Sequence, residues 1–293
     1  MKKVLIGFLP AMFILAVTAS ASISNSGFET PEVNNNYGWD IFDSGLGWTA
    51  EWYSQGTSYN EHERPVTAYM EFHRGVNGWL PYEGYQYTEL DSDWDGPGGG
   101  MSGEPASVKI SQSVSTMTGA EYELKYYWSP RPGHADNVLQ VFVNGGVVST
   151  HSASGAGNAN TVWTEGLYSF EASSETTEIA FAENGTADSM GMFLDAVSIT
   201  MTEEPLLCEE TTIDDFDLGT NRWMWDGEEW ITSLPNGKGP KRSYTIEQTQ
   251  GCSCEQILAW LHENYPEEFG EMKGHWKFGC SISVMDYFTS LWE

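Results

Sequence analysis

The sequence predicts a mainly β protein: an antiparallel β-sandwich over residues 22–203, then a small disulfide-bearing α+β module over 204–293. Three observations predict it. Short runs that alternate apolar and polar residues recur between residues 106 and 199, separated by Gly/Asn/Ser clusters. Their period of two is that of half-buried strands joined by turns. All four cysteines, Cys208, Cys252, Cys254 and Cys280, fall in the last third, and so does the one clear helical period.

Taken in order, the chain opens with Lys2 and Lys3, an apolar run from Val4 to Val17, and Ala19-Ser20-Ala21. A positive start, a short apolar core and a small-x-small site make residues 1–21 a secretory signal peptide. The run is too short for a membrane span, which needs roughly twenty residues, so export without membrane insertion is expected. The strand runs follow: 106–114, with Val108, Ile110, Gln112 and Val114 on one side; 122–128; 138–143, which meets an Asn144-Gly145 hairpin turn and returns through Val147-Val148; 176–182; and 192–199. Residues 201–205 form a short linker. Beyond it, residues 213–250 are Trp-rich, turn-rich and poorly periodic. Cys254, Ile257, Leu258, Leu261 and Tyr265 then lie on one helical face. Ser253 and Gln256 supply a capping box at its start, and Pro266 closes it. Residues 282–292 fit a second short helix.

Charge narrows the function classes. The chain carries 42 Asp+Glu against 13 Lys+Arg, a formal net charge of -29. Nucleic-acid binding needs a basic surface to displace counterions, so no nucleic-acid partner is expected. Aromatics make up 14% of the 293 residues, which disordered acidic tails lack, so the chain folds. An even cysteine count in an exported chain favours two disulfides over a metal site built from Cys252, Cys254, Cys280 and His275. Three pairings are open, and a Cys252–Cys254 bridge is the least favoured because its ring would be strained.

Asp91-Ser-Asp93-Trp-Asp95-Gly96 has the spacing that opens a calcium loop. Its twelfth position is Ser102, where a bidentate Glu belongs, and Glu104 stands two residues late. The alternative is a solvated acidic loop. No hydrolase signature is present: there is no G-x-S-x-G, H-E-x-x-H or Walker loop, and acid pairs such as Glu61/Glu63 are expected by chance among so many acids. Trp39, Trp48, Trp52, Trp79 and Trp94 lie in polar, loop-like surroundings. A sugar site would combine one such ring, Trp52 or Trp94, with nearby acids such as Glu51.

Asn25-Ser-Gly-Phe28-Glu29, Gly47-Trp48, Glu51-Trp52, Thr88-Glu-Leu-Asp-Ser92, Ile110-Ser-Gln-Ser-Val114, Ser129-Pro-Arg-Pro-Gly133 and Phe193-Leu-Asp-Ala-Val-Ser198 follow one another in order. Together they resemble galactose-binding-like, carbohydrate-binding-module jelly rolls, in the bacterial branch of a family also found in plant cell-wall proteins. The resemblance covers roughly residues 22–201. It implies a jelly-roll sandwich that binds wall or matrix glycans, with a structural calcium between Glu29 and Asp195. Hydrogen bonding of those two acids to backbone amides is the alternative. Arg131 would either bond sugar hydroxyls or pair with a carboxylate. The tail, 249–258 and 274–285, is similar to a C-terminal module of exported multidomain microbial proteins. The expectation is a secreted, non-catalytic, lectin-like protein of the cell surface or matrix that takes a neutral glycan. The alternatives are an adhesion or scaffold element that docks a matrix protein, and a glycoside hydrolase with an unrecognised carboxylate pair.

Overall fold

The computed structural model describes residues 21–99, 103–203, 208, 223–225, 229–232, 243–252, 254–269 and 282–291. The expected signal segment before Ala21, residues 204–207, Ser253, His275 and Cys280, and the side chain of Cys254, lie outside the described residues. The chain divides into two compact units, Met1–Glu204 and Pro205–Glu293.

The first unit is built from antiparallel strands. In chain order they are β1 (Trp39–Phe42), β2 (Thr49–Trp52), the short hairpin β3 (Ser58–Tyr59) and β4 (His62–Glu63), β5 (Met70–His73) and β6 (Tyr87–Glu89). Longer strands follow: β7 (Val108–Ser115), β8 (Glu121–Ser129), β9 (Asn137–Val143), β10 (Gly146–Ala153), β11 (Thr164–Glu171), β12 (Thr176–Glu183) and β13 (Phe193–Glu203). One sheet has the order β1-β5-β6-β13-β8-β11 and the other β10-β9-β12-β7-β2. The sheets enclose one core, because Phe72, Tyr126 and Leu194 of the first are buried in the same cluster as Ile110, Val141 and Phe181 of the second. Tyr126 meets Phe181 edge-on at 5.1 Å, and Phe28 stacks on Trp48 at 5.7 Å. This is the two-layer solution for strands with one apolar face.

The alternating runs become strands for the expected reason. Val108, Ile110 and Val114 point inward from β7, and Tyr122, Leu124 and Tyr126 from β8. Gln112, on the inward side of β7, stays partly exposed. Its amide accepts the Ser24 N–H at 2.7 Å and donates to the Gly47 carbonyl at 2.7 Å, tying the start of the chain to the sheet. Asn144 and Gly145 have φ of 48° and 76° between paired Val143 and Gly146, the two-residue hairpin their sequence calls for. β11 is an addition to the expected list. Its alternation is hidden by Gly166, where a Cβ would stand 2.2 Å from the Tyr126 ring, so the strand gives up a side chain to seat that tyrosine. Residues 201–203, expected in a linker, instead complete β13.

The second unit holds a three-stranded sheet, β14 (Trp223–Trp225), β15 (Glu229–Thr232) and β16 (Ser243–Thr245), inside the region that lacks a period. It also holds α1 (Ile246–Thr249), α2 (Cys254–Asn264), α3 (Pro266–Phe269) and α4 (Ile282–Thr289). Ile257, Leu258 and Leu261 of α2 pack on Val284, Met285 and Phe288 of α4. Of the three pairings left open, the structure shows Cys208–Cys252. Among the described residues no helix is long and apolar enough to cross a membrane.

Candidate functional site

The acids of the first unit do two kinds of work, and both shape the candidate site. The first is ionic. Strand alternation turns Glu71 and His73 of β5, Tyr87 and Glu89 of β6, and Phe193 of β13 away from the main core. The segment after β5 brings Trp79 back over them, stacked near-parallel to His73 (6.4 Å, 7°). Polar side chains on an outer face thereby become buried. His73 Nε2 lies 2.6 Å from Glu71 Oε1 and 3.0 Å from Glu89 Oε2. Arg131 Nη1 pairs with the same Glu89 oxygen. Its guanidinium also sits 5.6 Å above the Trp79 ring.

Charge is balanced inside this network. Burial pushes the Glu71 carboxyl up to about 7, with help from the neighbouring Glu89 charge. Burial also works against the Glu89 carboxylate, but Arg131 and His73 together hold it below the usual range. Desolvation opposes a charged His73, yet its bonds to both glutamates win and raise it. Glu71, His73 and Glu89 are the one group among the described residues with three ligand atoms within 4.8 Å of one another. They do not suit a metal. Arg131 already occupies the oxygen that faces His73, and His73 Nδ1 has no partner among the described residues, whereas a metal-bound histidine donates from its second nitrogen.

The second kind of work is capping loops. Glu183 accepts the N–H groups of Val138, Gly185 and Met192 at 2.7–2.9 Å. Asp91 Oδ2 accepts the Asp188 N–H at 2.8 Å, Glu89 Oε1 that of Gly191 at 2.7 Å, and Asp136 that of Thr186 at 2.9 Å. Four carboxylates thus fix segment 185–192 by its backbone amides. Burial raises Glu183 to about 7. Glu29 and Asp195 do the same for residues 82–86: Glu29 Oε1 accepts from Tyr85 (2.7 Å) and Gln86 (3.1 Å), and Asp195 Oδ2 from Tyr82 (2.9 Å) and Glu83 (3.1 Å). Asp195 is raised to about 7 by burial and by the Glu83 charge. A bulge at Ala196, with φ of 48°, aims it there.

Several expected site residues are placed elsewhere. Asp91, Asp93 and Asp95 do not converge. Asp91 turns to the Asp188 amide, and Asp93 Oδ1 caps the N–H groups of Asp95 and Gly96. Asp95 folds over Gly99, where a Cβ would stand 2.1 Å from its Oδ2. Trp94 is 6% exposed and offers no ring face to a ligand. Trp52 is half-buried. Its Nε1–H donates to the Pro65 carbonyl at 2.8 Å and its ring carries the Arg64 guanidinium at 4.8 Å, so that face is taken. Glu51 pairs with Lys109 at 3.2 Å on the surface. Arg131 is the counter-ion of Glu89 rather than a free sugar donor.

Trp52 nevertheless positions a site. Arg64, held on its ring, donates to Ser54 Oγ at 2.7 Å and to the Ser54 carbonyl at 3.3 Å. This fixes the turn after β2. Tyr53, Ser54 and Gln55 then face Ser107, Glu183, Asn184, Gly185 and Ala187 across an open cleft of about 370 Å³. Tyr53 is steadied by an O–H donated to Gln140 (2.9 Å) and an edge contact with Phe142. The lining offers a ring, hydroxyls and two side-chain amides, with no Lys or Arg. Its one carboxylate, Glu183, is spent on backbone amides.

No protein-family model matches the chain, and no curated protein matches it. Among solved structures it is similar to a family 35 carbohydrate-binding module from Clostridium thermocellum, at 14% identity over 55% of this chain and 90% of that one, with a TM-score of 0.29. It is also similar to a CBM4 (15%, 62% and 100%, TM-score 0.34). A third is the K3 cleaved adhesin domain of Lys-gingipain from Porphyromonas gingivalis (18%, 62% and 98%, TM-score 0.31). At such TM-scores these likenesses carry no argument about the site.

Proposed function

We propose that the first unit is a non-catalytic carbohydrate-binding module of an exported, surface- or matrix-located protein, and that it takes a neutral glycan in the Tyr53–Asn184 cleft. The observation that carries this is the lining. A concave, polar cleft with one aromatic ring and amides and hydroxyls, but no cation, suits a ligand rich in hydroxyls and without charge. Tyr53 supplies the stacking face, and Gln55 and Asn184 donate and accept. Hydroxyl hydrogen bonds exchange for water, so single-site affinity is weak. Hydrolysis needs two carboxyl groups flanking one bond, and the cleft lining contributes only Glu183.

Structural calcium belongs to this proposal at the Glu29–Asp195 loop. Because residue 27 has no side chain, Glu83 Oε1 and Asp195 Oδ1 both approach it closely, at 3.1 and 3.7 Å from where a Cβ would stand. The donors are all oxygen, which suits a hard cation. Bound there, the ion would offset the repulsion between Glu83 and Asp195 and stiffen residues 82–86.

A glycan array tests the main reading. The wild-type protein should retain neutral oligosaccharides, and Tyr53→Ala should lose them while its circular dichroism stays unchanged. Turnover of any bound oligosaccharide, abolished by Glu183→Gln, would replace the module with a hydrolase.

A further inference from the structure

One buried acid breaks the rule that Glu89, Asp91, Glu183 and Asp195 obey. Glu104 is 0% exposed, and neither of its carboxylate oxygens has a hydrogen-bond partner among the described residues. The amides of Trp94 and of Glu104 itself lie near, but outside hydrogen-bond geometry. Its neighbour is the carboxyl of Asp93, in direct side-chain contact. Glu89, Asp91, Glu183 and Asp195 each accept at least one backbone N–H. Glu104 accepts none, and no Lys, Arg or His forms an ion pair with it or with Asp93 among the described residues.

Two carboxyls in contact, one fully dry and unpartnered, need either a shared proton or a cation between them. Asp93 Oδ1 is already committed to the Asp95 and Gly96 amides. The donors identified are carboxylate oxygens. Such a set selects a hard divalent ion that accepts backbone carbonyls and water to complete its shell. Asp93 is half-buried, and Trp94, next in sequence, is buried.

We infer that Asp93 and Glu104 together hold a calcium ion. This inference stands apart from the glycan reading and from the ion at Asp195.

Terbium luminescence on the mature chain tests it. Trp94 is close enough to sensitise an ion held by Asp93. Wild-type protein should give tryptophan-excited terbium emission that calcium displaces. Glu104→Gln and Asp93→Asn should each lose most of it, at least tenfold in apparent calcium affinity, with far-ultraviolet circular dichroism as the folding control. Should Glu104→Gln not fold, Trp94→Phe decides: it should dim the emission while calcium still raises its melting temperature. Asp195→Asn should leave the Trp94-sensitised signal intact. Full emission from Glu104→Gln, undimmed emission from Trp94→Phe, or no calcium-displaceable emission from wild type would each overturn the inference.

Discussion

Replacing Arg131 by Met separates a structural ion from a sugar ligand. Glu89 is 0% exposed, while the Arg131 side chain is 20% exposed. Removing one partner of a buried ion pair costs about 3–5 kcal/mol, because the other charge stays dry and uncompensated. Two features pull the value to the low end: water reaches part of the guanidinium, and Glu89 keeps His73 at 3.0 Å and the Gly191 N–H at 2.7 Å. The lost stack on Trp79 adds about 0.5–1 kcal/mol. The sum is about 3–4 kcal/mol, a large part of a typical stability of about 5–15 kcal/mol. Without Arg131, Glu89 is drawn toward its protonated form, so the damage should be smaller at pH 5 than at pH 8. Lys at 131 restores the charge but not the planar stack, and should recover about half the loss. Urea denaturation at the two pH values measures all of this. A loss under about 1 kcal/mol, or one independent of pH, would refute the reasoning. So would intact stability with abolished glycan binding, which would return Arg131 to the ligand.

Two further outcomes follow from buried groups. Glu71, Glu183 and Asp195 carry folded-state values near 7, above their unfolded values. Each is fully stabilising below its unfolded value and loses that contribution as pH rises through 7, by up to about 1.4 kcal/mol per pH unit. Raised His73 acts in the same direction, and lowered Glu89 in the opposite one at lower pH. Calcium-free protein should therefore be several kcal/mol more stable in urea at pH 5 than at pH 8; a flat or rising profile over that window counts against the burial argument. Gly166→Ala should cost about 1–3 kcal/mol, because its Cβ meets the Tyr126 ring and overpacks the core, and an unchanged thermal midpoint would show that the ring moves freely.

Much of the sandwich was legible because it lies in long strands whose period survives in the sequence: β7, β8, β9, β12 and β13 follow alternation, and the β9–β10 hairpin follows Asn144-Gly145. Four places were not. β1 to β4 are two to four residues long, too short to show a period, so Trp39 and Trp52 lie in strands where loops were expected. β5 and β6 present Glu71, His73 and Glu89 on a face that a loop later covers, so their charges conceal the strands. Gly166 removes the inward side chain that would mark β11. Tail strands β14–β16 are three or four residues long, too short to show a period. Site residues were harder still, since exposure depends on neighbours remote in sequence. Trp94 and Trp52 are adjacent to the relevant places, yet one is buried and the other is faced by Arg64. Tyr53, one residue beyond the predicted ring, lines the cleft. Glu104 was visible as an acid two positions late, and only its burial without a partner gives it meaning.

The central claim is that the Tyr53–Asn184 cleft is where a neutral glycan sits. Backbone-amide NMR of the isotope-labelled protein, titrated with the best array oligosaccharide, tests it most directly. Shifts are expected to concentrate at residues 53–55 and 184–187, to saturate together and to be absent in Tyr53→Ala. Shifts centred instead on the exposed Tyr82 and Tyr85, or no saturable shift at any residue, would contradict it.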